Sequence, residues 1–116
     1  MPSENTYFEI SDLNAIGTGT SSEYTFVGGP AAFIFNATFG TNSQLDLEVS
    51  VDDGTTFTQV NDIAANDVSK TATGATTEYY NLTLPHNCIL RVNVSTAAIT
   101  SGKAWVSSAI SSNYPG

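Results

Sequence analysis

The chain of 116 residues carries little charge, and almost none of it is positive. Only 12% of the residues are charged, and the three basic residues, Lys70, Arg91 and Lys103, are set against eleven acidic ones, for a net charge of −8. A nucleic-acid-binding surface neutralises phosphates with Lys and Arg, and an anionic membrane surface attracts the same side chains. We therefore expect neither nucleic acid nor a membrane as a partner.

Cysteine and histidine are nearly absent. Cys88 is the only cysteine, so no disulfide forms within the chain, and His86 is the only histidine. Positions i and i+2 of a strand share a face, so a Cys88–His86 pair is geometrically allowed, but no third group supports it. A small buried hydrophobic residue is the favoured interpretation of Cys88. With so few groups for a catalytic constellation, we expect no enzymatic activity, no catalytic residue and no cofactor.

The sequence also lacks long apolar runs. No stretch is long enough to cross a bilayer as a helix, and the first ten residues lack the basic and apolar regions of a signal peptide. We expect synthesis in a cytoplasm without export by a standard signal.

The clearest pattern that is present is a β-hairpin in residues 44–60. Apolar and polar residues alternate along its first strand, which is the period of a strand with one buried face. An acidic turn follows, and its Asp53-Gly54 step tolerates the positive φ angles of tight hairpins. The predicted inward residues of this strand are Leu45, Leu47, Val49 and Val51.

The rest of the chain repeats this pattern with turn residues at fairly even spacing. Further strands are predicted at residues 6–10, 23–27, 31–39, 78–84, 88–95 and 103–110. We predict a turn at residues 40–43 and a long irregular loop at residues 61–77, and no helix longer than a turn or two. The sequence therefore predicts an all-β fold: an antiparallel β-sandwich or jelly roll of about eight short strands. Residues 1–22 are predicted to be an N-terminal arm or loop, 23–110 the sandwich domain, and 111–116 a short tail.

The sequence contains two candidate binding sites, a group of acidic residues and a pair of outward-facing aromatic residues, and each also has a simpler explanation. The acidic residues Asp46, Glu48, Asp52 and Asp53 offer oxygen ligands suited to Ca²⁺, but the calcium-loop pattern is absent, so a solvated strand face is favoured and no metal is expected. Tyr79 and Trp105 are predicted to face outward, where aromatic rings either stack on sugars or lie in a subunit interface. In a chain with so little charge we favour the interface.

Three segments resemble small tailed-bacteriophage virion proteins of the β-sandwich type. They are SVDDGTTFTQV at residues 50–60, LRVNVS at residues 90–95 and SGKAWV at residues 101–106. The resemblance covers about residues 23–110 and carries over no catalytic residue. It implies a capsid decoration (cement) protein or another small virion component, which binds the major capsid protein on the capsid surface as a homo-oligomer, with a trimer expected. The same D-G-T-T-F turn also occurs in bacterial adhesins and carbohydrate-binding modules, so a carbohydrate-binding or adhesin-like module is the alternative.

In that role, the N-terminal arm and the loop after residue 60 are expected to make the contacts that bridge subunits. Several weak contacts held in one oligomer add up through effective concentration. The predicted interface residues are Tyr7, Phe8, Ile10, Ile16, Ile63, Val68, Tyr79 and Trp105.

Overall fold

A computed structural model describes residues 6–108 of the chain. These residues form one antiparallel sheet of eight strands, curled into a half-barrel, which confirms the predicted all-β class. The strands are β1 (Tyr7–Ile10), β2 (Gly19–Thr20), β3 (Tyr24–Phe26), β4 (Gly29–Ser50), β5 (Thr58–Gln59), β6 (Ser69–Leu84), β7 (Cys88–Ser95) and β8 (Ser101–Ser108). A short 3-10 helix, Leu13–Ile16, is the only helical element of the described part, so within it no helix is long and apolar enough to span a membrane.

The long ribbon formed by β4 and β6 is the frame of the sheet. β4 has 22 residues and β6 has 16, so neither is a short strand. The predicted turn at residues 40–43 is wrong, because β4 continues through it with a register shift between Phe39 and Ser43. The predicted loop at residues 61–77 is wrong beyond Val68, because residues 69–77 pair with β4 as the first half of β6. Thr is well suited to strands, and β4 supplies the hydrogen-bonding partner.

The sheet folds over on itself into two halves, one containing β8 and the other containing β7, and the β4–β6 ribbon belongs to both. Opposite β6, the first half of β4 pairs with β8, and its second half pairs with β7. β1 borders β8, whereas β2 and β3 border β7. The two borders meet face to face, since the ring of Phe8 on β1 stacks on the ring of Tyr24 on β3 with centroids 4.4 Å apart.

The core lies between the two halves and follows the predicted alternation. The predicted inward residues Leu45 and Leu47 are buried, and Val49 is partly buried against the core. The core also contains Phe33, Phe35, Cys88, Leu90, Val92, Val94, Ala104 and Val106. Val51 is an exception, with 71% of its surface exposed, because the chain leaves β4 at Ser50. Asp46 lies on the predicted solvated face but is buried, and its carboxylate accepts hydrogen bonds from the Ser69 hydroxyl and the Gln44 amide.

The predicted N-terminal arm is part of this body from β1 onward. β1 pairs with β8 from Tyr7 opposite Ser107 to Ile10 opposite Ala104, and Leu13 is fully buried. The pairing of β1 and β2 and the burial of Leu13 attach residues 7–20 to the sheet, so a boundary at residue 22 does not separate two units. Residues 1–5 and the predicted tail at 111–116 lie outside the described residues.

Candidate functional site

The outer face of the sheet, in the half that contains β1, β8 and the first part of β4, carries the candidate site. The odd-numbered residues of this part of β4 point into the core, so Ala32, Ile34 and Asn36 point to the outer face. The same alternation in β6 and β8 turns Tyr79 and Trp105 to the outer face. The sheet therefore collects on one surface side chains that are far apart in the sequence.

The strand register places three large side chains in a single row. Ile34 lies opposite Tyr79 on β6 and opposite Trp105 on β8. Since neighbouring strands are about 4.8 Å apart, the backbones of Tyr79 and Trp105 are separated by about 10 Å, with Ile34 between them. Tyr7 on β1 belongs to the next row, opposite Ser107. We name the set Tyr7, Ile34, Tyr79 and Trp105 the outer aromatic patch.

The outer aromatic patch is accessible and has a polar rim. Tyr79 is 69% exposed and Tyr7 is 52% exposed, while Ile34 and Trp105 are half-buried. Glu9 lies opposite Trp105, and its carboxylate is 3.7 Å from the Lys103 ammonium, so the charges nearest to the patch are paired. Exposed aromatic rings surrounded by polar side chains are typical of a docking surface.

The sheet has a corner near Gly74, where the β4–β6 ribbon bends over and its register shifts. A shallow, open depression adjoins the patch where β4, β6 and β8 approach this corner. Its volume is about 490 Å³. Its lining includes the polar residues Glu9, Asn36, Thr38, Ser101 and Lys103, together with the small residues Ala37 and Ala75. Hydrogen-bonding groups thus lie beside the aromatic rings on the same outer surface.

Three of the predicted interface residues, Tyr7, Tyr79 and Trp105, come together in this patch, and the other five do not. Phe8 and Ile10 are buried in the core of the chain itself, because the alternation of β1 turns them inward, and Val68, just before β6, is buried there too. Ile16 is partly buried against that core. Ile63 is 68% exposed but lies outside the patch, in the loop after β5. We therefore do not assign these five to the candidate site.

The acidic turn stabilises the hairpin locally. The Asp52 carboxylate accepts hydrogen bonds from the Ser50 hydroxyl at 2.7 Å and from the Thr56 N–H at 2.8 Å. The Ser50 hydrogen bond is the main cause that lowers the pKa of Asp52 to about 2. Asp46 is separately engaged with Gln44 and Ser69. Within residues 6–108, no three His, Cys, Asp or Glu side chains are grouped so that they could hold a metal ion.

Cys88 is placed as a core residue. Its side chain is buried, and burial raises the pKa of its thiol, which keeps the thiol protonated. His86 lies in the exposed turn between β6 and β7. The placement agrees with the interpretation of Cys88 as a small hydrophobic residue.

Ile34 is the member of the patch that the predicted interface set omits. Its signal in the sequence is its position in the strand AAFIFNATF, where it alternates with the inward Phe33 and Phe35. What the sequence does not contain is the order of the strands, which alone places Ile34 between Tyr79 and Trp105.

Comparison of the chain with protein-family models finds no match, and comparison with curated protein sequences finds none either.

Proposed function

We propose that the chain is a non-enzymatic structural protein of a tailed-bacteriophage virion, which decorates the capsid and docks on the major capsid protein through the outer aromatic patch. The observation that carries the proposal is the patch itself, in which Tyr79, Ile34 and Trp105 lie side by side on one sheet face with Tyr7 beside them. The resemblance of the hairpin and the two closing strands to small virion proteins supplies the capsid as the partner.

The physical properties of the patch favour a protein partner. Tyr and Trp are enriched at protein interfaces, since a ring offers a large apolar area with few rotatable bonds, and its polar atom keeps a hydrogen bond at the rim. The rings stand on paired strands, so the backbone under them is already ordered before binding. Less conformational entropy is therefore lost on docking than with a loop.

The first experiment asks whether the protein belongs to a particle. Phage particles released from the strain that carries the gene are purified on two successive density gradients and probed by immunogold labelling with antibodies against the folded protein. We expect many gold particles on each capsid, and a host cytoplasmic protein serves as the contamination control. Labelling no greater than that control would contradict the proposal.

A carbohydrate-binding or adhesin-like module is the second candidate, and one observation favours it. Tyr79 and Trp105 lie on the same outer face as a depression of about 490 Å³ whose lining includes Asn36, Glu9 and Lys103, so stacking and hydrogen-bonding groups adjoin each other. A glycan array distinguishes the candidates. Saturable binding to one glycan class, abolished by Trp105→Ala, would favour this candidate, whereas an empty array together with labelled capsids favours the virion protein.

A further inference from the structure

Strand β6 is a long edge of the sheet. It pairs with β4 along one side only. On the other side, the Asn81 carbonyl accepts a hydrogen bond from the Ile63 N–H at 3.0 Å, so the backbone groups of Asn81 point away from β4. The N–H and C=O groups of successive residues in a strand point alternately to its two sides. These groups therefore also point away from β4 in every second residue before Asn81, namely Tyr79, Thr77 and Ala75. Within residues 6–108, no backbone partner pairs with these three residues on that side.

The open part of this edge lacks two of the usual protections against pairing, Pro and Lys. Exposed edges are commonly blocked by Pro, by Lys, by bulges or by their short length. Residues 75–79, with the sequence ATTEY, contain no Pro and no Lys. Their one charged side chain, Glu78, lies on the opposite face to Thr77 and Tyr79 and forms an ion pair with Lys70.

We propose that a second copy of the chain pairs with this edge, antiparallel, about a two-fold axis that passes beside Thr77. The open stretch is bounded by the corner of the sheet at Gly74 and by the Ile63–Asn81 hydrogen bond, and Thr77 is its centre. Pairing about this centre places Thr77 opposite Thr77 of the second copy and Ala75 opposite Tyr79. Three such residue pairs exchange about six backbone hydrogen bonds.

The side chains of the strand are complementary to themselves in this register. Thr opposite Thr is a favourable cross-strand pair, and the small Ala75 leaves room for the ring of Tyr79. Thr76 lies opposite Glu78, so no two like charges face each other directly. A two-fold interface of this kind is closed and stops at a dimer, because each copy contributes the same stretch of β6 and that stretch is then paired. This dimer differs from the trimer that the sequence resemblance implies.

The pairing has a geometric consequence for the outer aromatic patch. A two-fold axis perpendicular to the sheet keeps the outer faces of both copies on the same side, so Tyr79 of each copy lies next to the junction. Two patches on one continuous face bind a repetitive surface with a higher effective concentration than one patch alone. The dimer goes beyond the proposed function and does not depend on it.

Light scattering coupled to size-exclusion chromatography tests the dimer. We expect the wild-type chain, at tens of micromolar, to show twice the 12.2 kDa mass of one copy. Thr77→Lys places two ammonium groups opposite each other at the axis and is expected to halve the mass. Thr83→Lys is the matched control, since Thr83 is also exposed on β6 but lies beyond Asn81, and it is expected to remain dimeric. A monomeric wild type, or a dimeric Thr77→Lys variant, overturns the proposal.

A charge-exchange pair tests the register independently of Thr77. In Ala75→Lys/Tyr79→Lys, like charges face each other twice across the axis, and we expect a monomer. In Ala75→Glu/Tyr79→Lys, opposite charges face each other at the same positions, and we expect the dimer to return. Both variants change exposed or edge side chains only, and circular dichroism checks that both fold. Equal masses for the two variants would refute the proposed register.

Discussion

The side chains of Lys70 and Glu78 lie on the same strand, eight residues apart, yet Lys70 Nζ is 2.7 Å from Glu78 Oε2. A straight strand would separate two such Cα atoms by about 26 Å. The contact is therefore direct evidence that the β4–β6 ribbon turns over at its corner near Gly74. Tyr80 adds to the inner side of the corner, since its hydroxyl lies 3.2 Å from Glu78 Oε1 and 3.4 Å from the Ser69 carbonyl oxygen.

Substitution of Glu78 by Gln is expected to change stability little and the titration of Tyr80 clearly. The ion pair is about one-third exposed on each side, so its loss costs less than about 1 kcal/mol. Burial first, and then the negative charge of Glu78, raise the pKa of Tyr80 to about 12. In Glu78→Gln the pKa is expected to fall but to stay above 10, because burial remains. NMR of Cζ-labelled tyrosine measures it, and an unchanged value would contradict the contact.

The Tyr80 hydroxyl also makes the fold sensitive to high pH. Its pKa is 10.0 when unperturbed and about 12 in the folded chain, so the unfolded state loses the proton first. The free energy of unfolding is therefore expected to fall as the pH rises from 10 to 12. Urea titrations across this range check it, with Tyr80→Phe as the variant in which part of the decrease disappears.

Asp52 has the opposite dependence, at low pH. Its pKa is about 2 in the folded chain and 3.8 when unperturbed. The contribution of Asp52 to the free energy of unfolding is therefore complete above pH 3.8 and is lost as the pH falls towards 2. Asp52→Asn retains a side-chain oxygen that accepts a hydrogen bond but does not titrate in this range. We expect a shallower loss of stability between pH 4 and pH 2 in this variant, measured by urea unfolding, and an identical slope would argue against the role of the turn.

Neighbouring residues of β1 test whether this strand is part of the body. Phe8 is 6% exposed and stacks on Tyr24, so Phe8→Ala is expected to cost about 3–5 kcal/mol. Tyr7, on the outer side of the same strand, is half-exposed, and Tyr7→Ala is expected to cost less than about 1 kcal/mol. Thermal unfolding compares the two. Equal, small effects would mean that residues 7–10 form a dispensable arm.

Gly102 is expected to tolerate no side chain, because the backbone of β8 comes very close to that of the paired strand β4 at this point. A Cβ atom there would lie 2.3 Å from the Cα of Ala37, and the φ angle is +120°. Gly102→Ala is expected to cost about 3 kcal/mol or more, from overpacking and backbone strain together. Gly74→Ala is the matched control, since Gly74 also has a positive φ but has open space around it, and we expect a cost of about 1 kcal/mol. Chemical denaturation measures both.

The sequence predicts the elements whose inner faces are apolar and misses those whose inner faces are polar. Residues 88–95 alternate strictly and form β7 as expected, because Leu90 and Val92 enter the core. Residues 69–77 offer no large apolar side chain, since the corner is filled by the contact of Lys70 with Glu78, so their pattern resembles a loop. Gly40 similarly suggests a turn, whereas the chain only bends there and shifts its register.

The sequence predicts which side chains of the candidate site face outward, but not which of them are neighbours. The outward direction of Tyr79 and Trp105 follows from alternation within each strand. Their position on either side of Ile34 follows from the pairing of β4 with both β6 and β8. This pairing joins residues 45 and 71 positions apart in the sequence and leaves no local signal.

The docking role of the outer aromatic patch is tested most directly by co-sedimentation with phage particles from the strain that carries the gene. Tyr79→Ser/Trp105→Ser removes two rings from the patch without touching a fully buried side chain. Val51→Ser is the matched control, since Val51 is an exposed apolar residue on the hairpin turn, outside the patch. With folding of each protein checked by circular dichroism, we measure the fraction of added protein that pellets with the particles at rising particle concentration. We expect the wild type and Val51→Ser to pellet equally, while the double variant loses at least tenfold in apparent affinity. Equal pelleting of the double variant would contradict it.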